Sequence, residues 1–146
     1  ELLPLELHSE EAYHQELSIG EAGECALPSG QCLSWQIEPR PRDLAQLFPL
    51  AKGEAAFDYE ALGAEGLVLR HRREGDVLYP YGMKGKKLLR RIFIDGKFAP
   101  AERRAALLLC RGDEVLWLVG HLADRRYRVT EHTQRILRLR LSPAVS

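Results

Sequence analysis

The chain has 146 residues, 45% of them hydrophobic, enough for a single globular domain to bury a core with no disulfide or metal to hold it. Lys plus Arg (21) balances Asp plus Glu (21), and this zero formal net charge, taken at face value, argues against a nucleic-acid binder. Uninterrupted apolar runs such as Ala105–Cys110 and Val115–Val119 are too short for a transmembrane helix, and no charged segment followed by an apolar one opens the sequence as a signal peptide would.

Short apolar stretches punctuated by turn residues predict strands more than helices. Glu16–Ile19, Gly23–Leu27 and Gln31–Ile37 read as strands, with Leu27-Pro28-Ser29-Gly30 as a hairpin turn in which Pro presets φ and Gly supplies a positive one. Glu38-Pro39-Arg40-Pro41-Arg42 breaks regular structure, and Asp43 is placed to cap a short helical turn through Phe48. Ala55–Tyr59 and Gly66–His71 are again strand-like. The clearest helix is expected from about Lys86 to Asp95, where Leu88, Leu89, Ile92 and Phe93 form an apolar stripe and Lys86, Lys87, Arg90, Arg91 and Lys97 cover most of the remainder. Pro100–Arg103 predicts a helical turn, and Ala106–Cys110 and Glu114–Val119 two strands joined by a tight turn at Arg111-Gly112-Asp113. In Arg135–Leu141 the leucines 137, 139 and 141 alternate with Arg138 and Arg140, a half-buried strand with a basic outer face. The sum is a β-rich α+β domain with one basic helix, expected to occupy residues 1–146 as a single unit.

The cysteines Cys25, Cys32 and Cys110 form an odd, sparse set, as expected in the reducing cytoplasm. Met83 is the sole methionine and the sequence starts at Glu1, so it is expected to be a processed or cloned piece of something longer.

Counted by position, the charge balance dissolves. Residues 1–66 carry thirteen acids and three bases (Arg40, Arg42, Lys52), a net of −10, while residues 67–146 carry eighteen bases and eight acids, a net of +10. From Arg70 to Arg104 alone the net is +7. Inside that stretch lies Tyr79-Pro80-Tyr81-Gly82-Met83-Lys84-Gly85-Lys86-Lys87, read as a glycine loop running into the helix. Glycines let backbone amides approach phosphate oxygens, a helix start adds partial positive charge, lysines add point charges, and Arg grips phosphate bidentately. Tyr79 and Tyr81 are candidates to stack on a base or sugar. The pattern predicts a polyanion partner without saying which.

In order and spacing, Arg72-Arg73-Glu74-Gly75-Asp76, then Pro80 to Leu88, Ile92-Phe93-Ile94-Asp95, Lys97, Pro100, Glu102-Arg103 and Glu114 to Gly120 resemble the C-terminal domain of the tRNA(Ile)-lysidine synthase family. The likeness is close over about residues 67–141 and loose over 17–58. It implies a bacterial, cytoplasmic parent ligase that joins lysine to the wobble cytidine of an isoleucine tRNA, using ATP and Mg. It also implies a β-sandwich-like fold shared with a domain of the phenylalanyl-tRNA synthetase beta subunit. Catalysis in this family belongs to an N-terminal domain with an SGGxDS loop. The present sequence has no such motif, so no catalytic residue and no cofactor is assigned to this part, and the N-terminal catalytic domain becomes an expected partner. The resemblance assigns binding of the tRNA acceptor stem to Arg72, Arg73, Lys84, Lys86, Lys87, Arg90 and Arg91, with Lys97 and Arg103 beyond them. Val77 departs from the family, which commonly has another arginine there.

Other constellations carry less. His8, His14, His71, His121 and His132 and the three cysteines lack metal-ligand spacing. Cys25 and Cys32 flank a hairpin turn and face either the same or opposite sides depending on register. Asp76 is expected to turn the backbone, and Asp76 and Asp95 to make salt bridges. Trp35 and Trp117 read as core. The acidic residues 1–66 are solvated surface, a device that repels RNA from all but one face, or a dock for another domain. An alternative function is a non-catalytic protein-interaction module that uses opposed acidic and basic faces.

Overall fold

Strands form where large apolar residues alternate with small or charged ones, and two of the resulting sheets close on each other. The computed structural model describes residues 13–48, 50–51, 53–63 and 65–143. His8 of the histidine set, and Glu1, Glu6, Glu10, Glu11 and Lys52 of the first segment, lie outside the described residues. In chain order the strands are β1 (His14–Leu17), β2 (Ala22–Ala26), β3 (Cys32–Pro39), β4 (Glu54–Asp58), β5 (Leu67–Arg70), β6 (Val77–Leu78), β7 (Lys87–Leu88), β8 (Leu108–Arg111), β9 (Glu114–Leu118), β10 (Leu122–Ala123) and β11 (Arg135–Ser142). Three short helices, α1 (Tyr59–Leu62), α2 (Leu89–Asp95) and α3 (Pro100–Ala105), join a 3-10 turn at Leu44–Gln46 that Asp43 caps through its bond from the Ala45 amide.

One sheet has the order β1-β5-β8-β9-β10, the second β2-β3-β11-β4, and β6-β7 is a separate two-stranded ribbon. Every pairing is antiparallel. Both larger sheets take strands from the acidic and the basic segment. Leu67, Leu69, Leu109, Leu116 and Trp117 of the first sheet meet Leu33, Trp35, Phe57, Leu137 and Leu139 of the second in one buried cluster. Removing each such leucine from water contributes on the order of 2 kcal/mol. The result is the expected β-rich α+β architecture with few helices.

A β-bulge shapes the central hairpin. Leu109 opposes Trp117 but Cys110 opposes Val115, which leaves Leu116 as the extra residue. Leu116 and Trp117 therefore both enter the inter-sheet core, while Val115 and Leu118 face the opposite side. On that opposite side Leu78, Leu89, Ile92 and Phe93 cover Leu108, Cys110, Val115 and Leu118, so the basic helix lies on the outer face of the five-stranded sheet.

That helix is shorter than the sequence predicts. Lys87 and Leu88 pair with Leu78 and Val77 as a ribbon, and the Asp76 carbonyl accepts from the Leu89 amide at 2.9 Å. These non-local bonds take Lys86–Leu88 away from the helix. Leu88 stands 48% exposed, and the buried stripe is Leu89, Ile92 and Phe93. The basic outer face expected for β11 is also corrected. Arg138 pairs with Glu38 of β3 at 3.3 Å and Glu54 of β4 at 3.6 Å, and Arg140 pairs with Glu54 at 2.8 Å. Together with Arg135–Glu60 at 2.6 Å, these bridges give part of the acidic segment its role: it neutralises a basic strand threaded between its own strands.

Cys25 lies opposite Leu33 and Cys32 opposite Ala26, so the two thiols project to opposite faces.

Candidate nucleic-acid interface

The basic residues from 70 to 104 divide into those that hold the fold and those left for a partner. Arg70, at the end of β5, is 2% exposed and grips Asp76 with two bonds, Nη1 to Oδ2 at 2.8 Å and Nη2 to Oδ1 at 3.0 Å. Asp76 Oδ2 also accepts from the Arg73 amide at 2.7 Å, so this carboxylate turns the 71–76 loop as expected. Lys87 and Arg91 both pair with Asp95, at 2.6 and 3.4 Å. Lys87 is the largest cause of the lowering of the Asp95 carboxyl below its ordinary range.

Arg72, Arg73, Lys84, Lys86 and Arg90 are exposed and make no ion pair among the described residues. They lie on three segments fixed to one another: the 71–76 loop, the 79–86 loop and α2. The Asp76–Leu89 bond and the β6–β7 ribbon join them. Lys97 follows the helix at a left-handed φ of 58°. Arg103 lies on α3, its Nε donating to the Phe98 carbonyl at 3.0 Å, and Phe98 packs on Phe93 with ring centroids 4.9 Å apart. These two belong to the next stretch of surface rather than to the three joined segments.

The glycine loop does not open a helix; it is held from behind. Arg125 Nε donates to the Met83 carbonyl at 3.0 Å and its Nη2 to the Gly85 carbonyl at 3.3 Å, so these carbonyls turn inward. Gly82 and Gly85 adopt φ of 78° and 85°, where side chains are strained, and a Cβ at either would meet nothing within 4 Å. Their role is conformation, not close packing. Asp124 anchors the base of the loop: fully buried, it accepts from the Tyr79 amide at 2.8 Å and from Arg126 Nε and Nη2 at 2.9 Å each. Burial works against the Arg126 charge, but Asp124 outweighs it and raises the pKa.

The two tyrosines differ. Tyr79 is covered by the guanidinium of Arg126 at 4.2 Å and Arg125 at 5.5 Å, whereas Tyr81 is 44% exposed. Asp124, Arg125 and Arg126 were not singled out by the sequence, where they form only a short mixed-charge run; their role depends on partners about forty residues away. Among the described residues no three His, Cys, Asp or Glu side chains gather as metal ligands, and no helix is long and apolar enough to cross a membrane.

Residues 67–141 match the family model described as TilS substrate C-terminal domain. The tRNA(Ile)-lysidine synthase of Parabacteroides distasonis is 44% identical over 92 residues, 62% of this chain and 21% of that protein. That of Porphyromonas gingivalis is 41% identical over 107 residues, 72% of this chain and 24% of the relative. That of Symbiobacterium thermophilum is 34% identical over 130 residues, 88% and 26% respectively. The chain thus spans about a quarter of the length of the curated relatives it matches. The crystal structure of a TILS C-terminal domain superposes with a TM-score of 0.74 at 26% identity, covering 92% of this chain and 98% of the other.

Proposed function

The chain belongs to the tRNA(Ile)-lysidine synthase family, whose relatives are ligases and whose C-terminal domain it matches, and from that premise we propose that this part binds tRNA on the outer face of the five-stranded sheet. The observation that carries the reading is the set Arg72, Arg73, Lys84, Lys86 and Arg90, exposed, free of acid partners among the described residues, and joined by backbone bonds into one surface. Lys87 and Arg91 lie beside them and exchange Asp95 for phosphate at modest cost, because an exposed ion pair is weak. Lys97 and Arg103 extend the surface. Such a face neutralises phosphates and reads an A-form helix mainly by shape, as an acceptor stem requires.

In the whole protein, this reading assigns joining of lysine to the wobble cytidine of an isoleucine tRNA to an N-terminal catalytic domain that uses ATP and Mg in the cytoplasm. This part supplies tRNA affinity and no catalytic group. The likeness of the sandwich to a domain of the phenylalanyl-tRNA synthetase beta subunit belongs to the same proposal. The alternative, a module pairing through opposed acidic and basic faces, has less to work with, since Glu38, Glu54 and Glu60 already pair within the chain.

The test is a filter-binding titration of an isoleucine tRNA across salt concentrations. The logarithm of affinity falls linearly with the logarithm of salt, with a slope of roughly −3 to −5 for about five phosphate contacts. Lys86→Ala and Arg90→Ala each lower the slope by roughly one, while Arg140→Ala leaves it unchanged. Binding that ignores salt, or survives replacement of all five bases, overturns the proposal.

A further inference from the structure

Phosphate neutralisation leaves one feature of this surface unused. Four of the five large apolar side chains that stand exposed among the described residues fall between positions 81 and 94: Tyr81 (44%), Met83 (43%), Leu88 (48%) and Ile94 (41%). The free bases Lys84, Lys86 and Arg90 stand between them in the chain, and no acid occurs from Tyr79 to Ile94. Exposed apolar side chains interleaved along the chain with unpaired cations, the next acid in the chain, Asp95, being already paired with Lys87 and Arg91, fit a polyanion that also offers flat apolar faces, which is the chemistry of RNA with accessible bases.

The loop is built to present these groups. Arg125 ties down the Met83 and Gly85 carbonyls, and the positive φ of Gly82 and Gly85 turns the chain on either side of Met83. Tyr79 is already occupied by Arg126 and Arg125, which leaves Tyr81 as the aromatic ring open to a partner. Within a duplex every base face is covered by its neighbours, so an exposed ring finds a π-face only at an unpaired nucleotide or a helix end.

We propose that Tyr81, supported by Met83, stacks on an unpaired nucleotide adjoining the duplex that Lys84, Lys86 and Arg90 hold by its phosphates. The inference rests on the RNA-binding reading above and narrows it from a duplex to a junction of duplex with single strand.

Two RNA hairpins of the same stem test it, one blunt and one with a short single-stranded extension, each titrated with the full chain at several salt concentrations. The extended hairpin binds about tenfold tighter, on the scale of one base–aromatic stack. Tyr81→Ala removes that preference, leaving blunt-hairpin affinity and the salt slope unchanged, whereas Tyr81→Phe retains it. Met83→Ala reduces it in part. Salt-dependent binding with no preference for the extension, or a preference that Tyr81→Ala leaves intact, overturns the stacking while the RNA-binding reading stands. The apolar tip would then face a protein surface. If neither hairpin binds at all, both readings fall.

Discussion

Arg125 and Met83 are forty-two positions apart, and the guanidinium of the first holds the carbonyl of the second at 3.0 Å. With its second bond to Gly85 at 3.3 Å, this arginine acts as a clamp on the backbone of the candidate interface and is not itself the proposed contact. A loop with two glycines loses much entropy on ordering, and a charged donor on two of its carbonyls offsets that loss.

Arg125→Met retains the aliphatic stem and removes the donors. Trypsin cleavage after Lys84 and Lys86 then accelerates roughly tenfold, which corresponds to about 1.4 kcal/mol of local opening. The thermal midpoint scarcely moves, because the loop contributes little to either core. Mass spectrometry of the digest reads the rate, and an unchanged rate would show that the clamp does not restrain the loop.

Arg70 and Asp76 predict a different pattern, because both are buried, with side-chain exposures of 2% and 8%. Removing one partner strands a charge: Arg70→Met or Asp76→Leu alone costs about 3–5 kcal/mol in urea unfolding. Replacing both together costs less than either single change, the residual loss coming from the Arg73 amide that Asp76 also accepts. Additive single-site losses would contradict the account.

Legibility in the sequence follows the range of the interactions that decide each feature. The Leu27–Gly30 turn and the Arg111–Asp113 hairpin are local: proline and glycine set them, and the Gly30 amide donates to the Leu27 carbonyl at 2.9 Å as the turn requires. The start of α2 is not local. Lys86-Lys87-Leu88 fits a helical period as well as a strand, and the choice is made by Val77 and Leu78, about ten residues earlier. Arg138 and Arg140 read as a basic face because Glu38 and Glu54 lie 100 and 86 residues away in the chain. The glycine loop and its cations were visible in the sequence; the Arg125 clamp, the Asp124 anchor and the difference between Tyr79 and Tyr81 arise only from packing.

Acid should weaken the outer face of the four-stranded sheet. Burial raises the Glu54 pKa, but the Ala51 amide, Arg140 and Arg138 outweigh it and hold the carboxyl below its ordinary 4.5. A lowered folded pKa means a contribution fully present above the unfolded value and lost as pH falls through the folded one. Glu54→Gln is therefore less stable than the native protein at pH 7, and the difference shrinks steadily below about pH 4.5. Unfolding midpoints measured from pH 7 to pH 3 check this, and parallel curves would refute it.

Thiol chemistry separates the cysteines. Cys110 is fully buried, and its pKa is pushed up to about 12, first by that burial. Burial also raises Cys25, with Cys32 adding to it, but both residues keep partial exposure. In native protein at pH 8, N-ethylmaleimide adds to Cys25 and Cys32 and spares Cys110. Above the urea midpoint a third adduct forms, because the thiolate is the reactive species and unfolding releases it. A native third adduct on the same timescale would show that the outer core opens freely.

Among the described glycines, Gly23 leaves the least room for a side chain, and its cross-strand neighbour is Trp35. A Cβ on Gly23 would stand 2.7 Å from the indole, and the ring cannot simply swing away, because Trp35 is 7% exposed and part of the inter-sheet core. Gly23→Ala forces the indole or strand β2 to shift, an overpacking cost of about 1–3 kcal/mol. At this chain length that lowers the thermal midpoint by roughly 3–10 °C. Strand propensity alone predicts the opposite sign, since alanine is a better strand former than glycine and lowers the entropy of the unfolded chain. The sign therefore reports whether sterics decide. Trp35→Leu opens the space, so in that background Gly23→Ala becomes neutral or stabilising, a coupling that a thermodynamic cycle measures directly. A stabilising Gly23→Ala in the native background would mean that β2, an edge strand among the described residues, yields without cost.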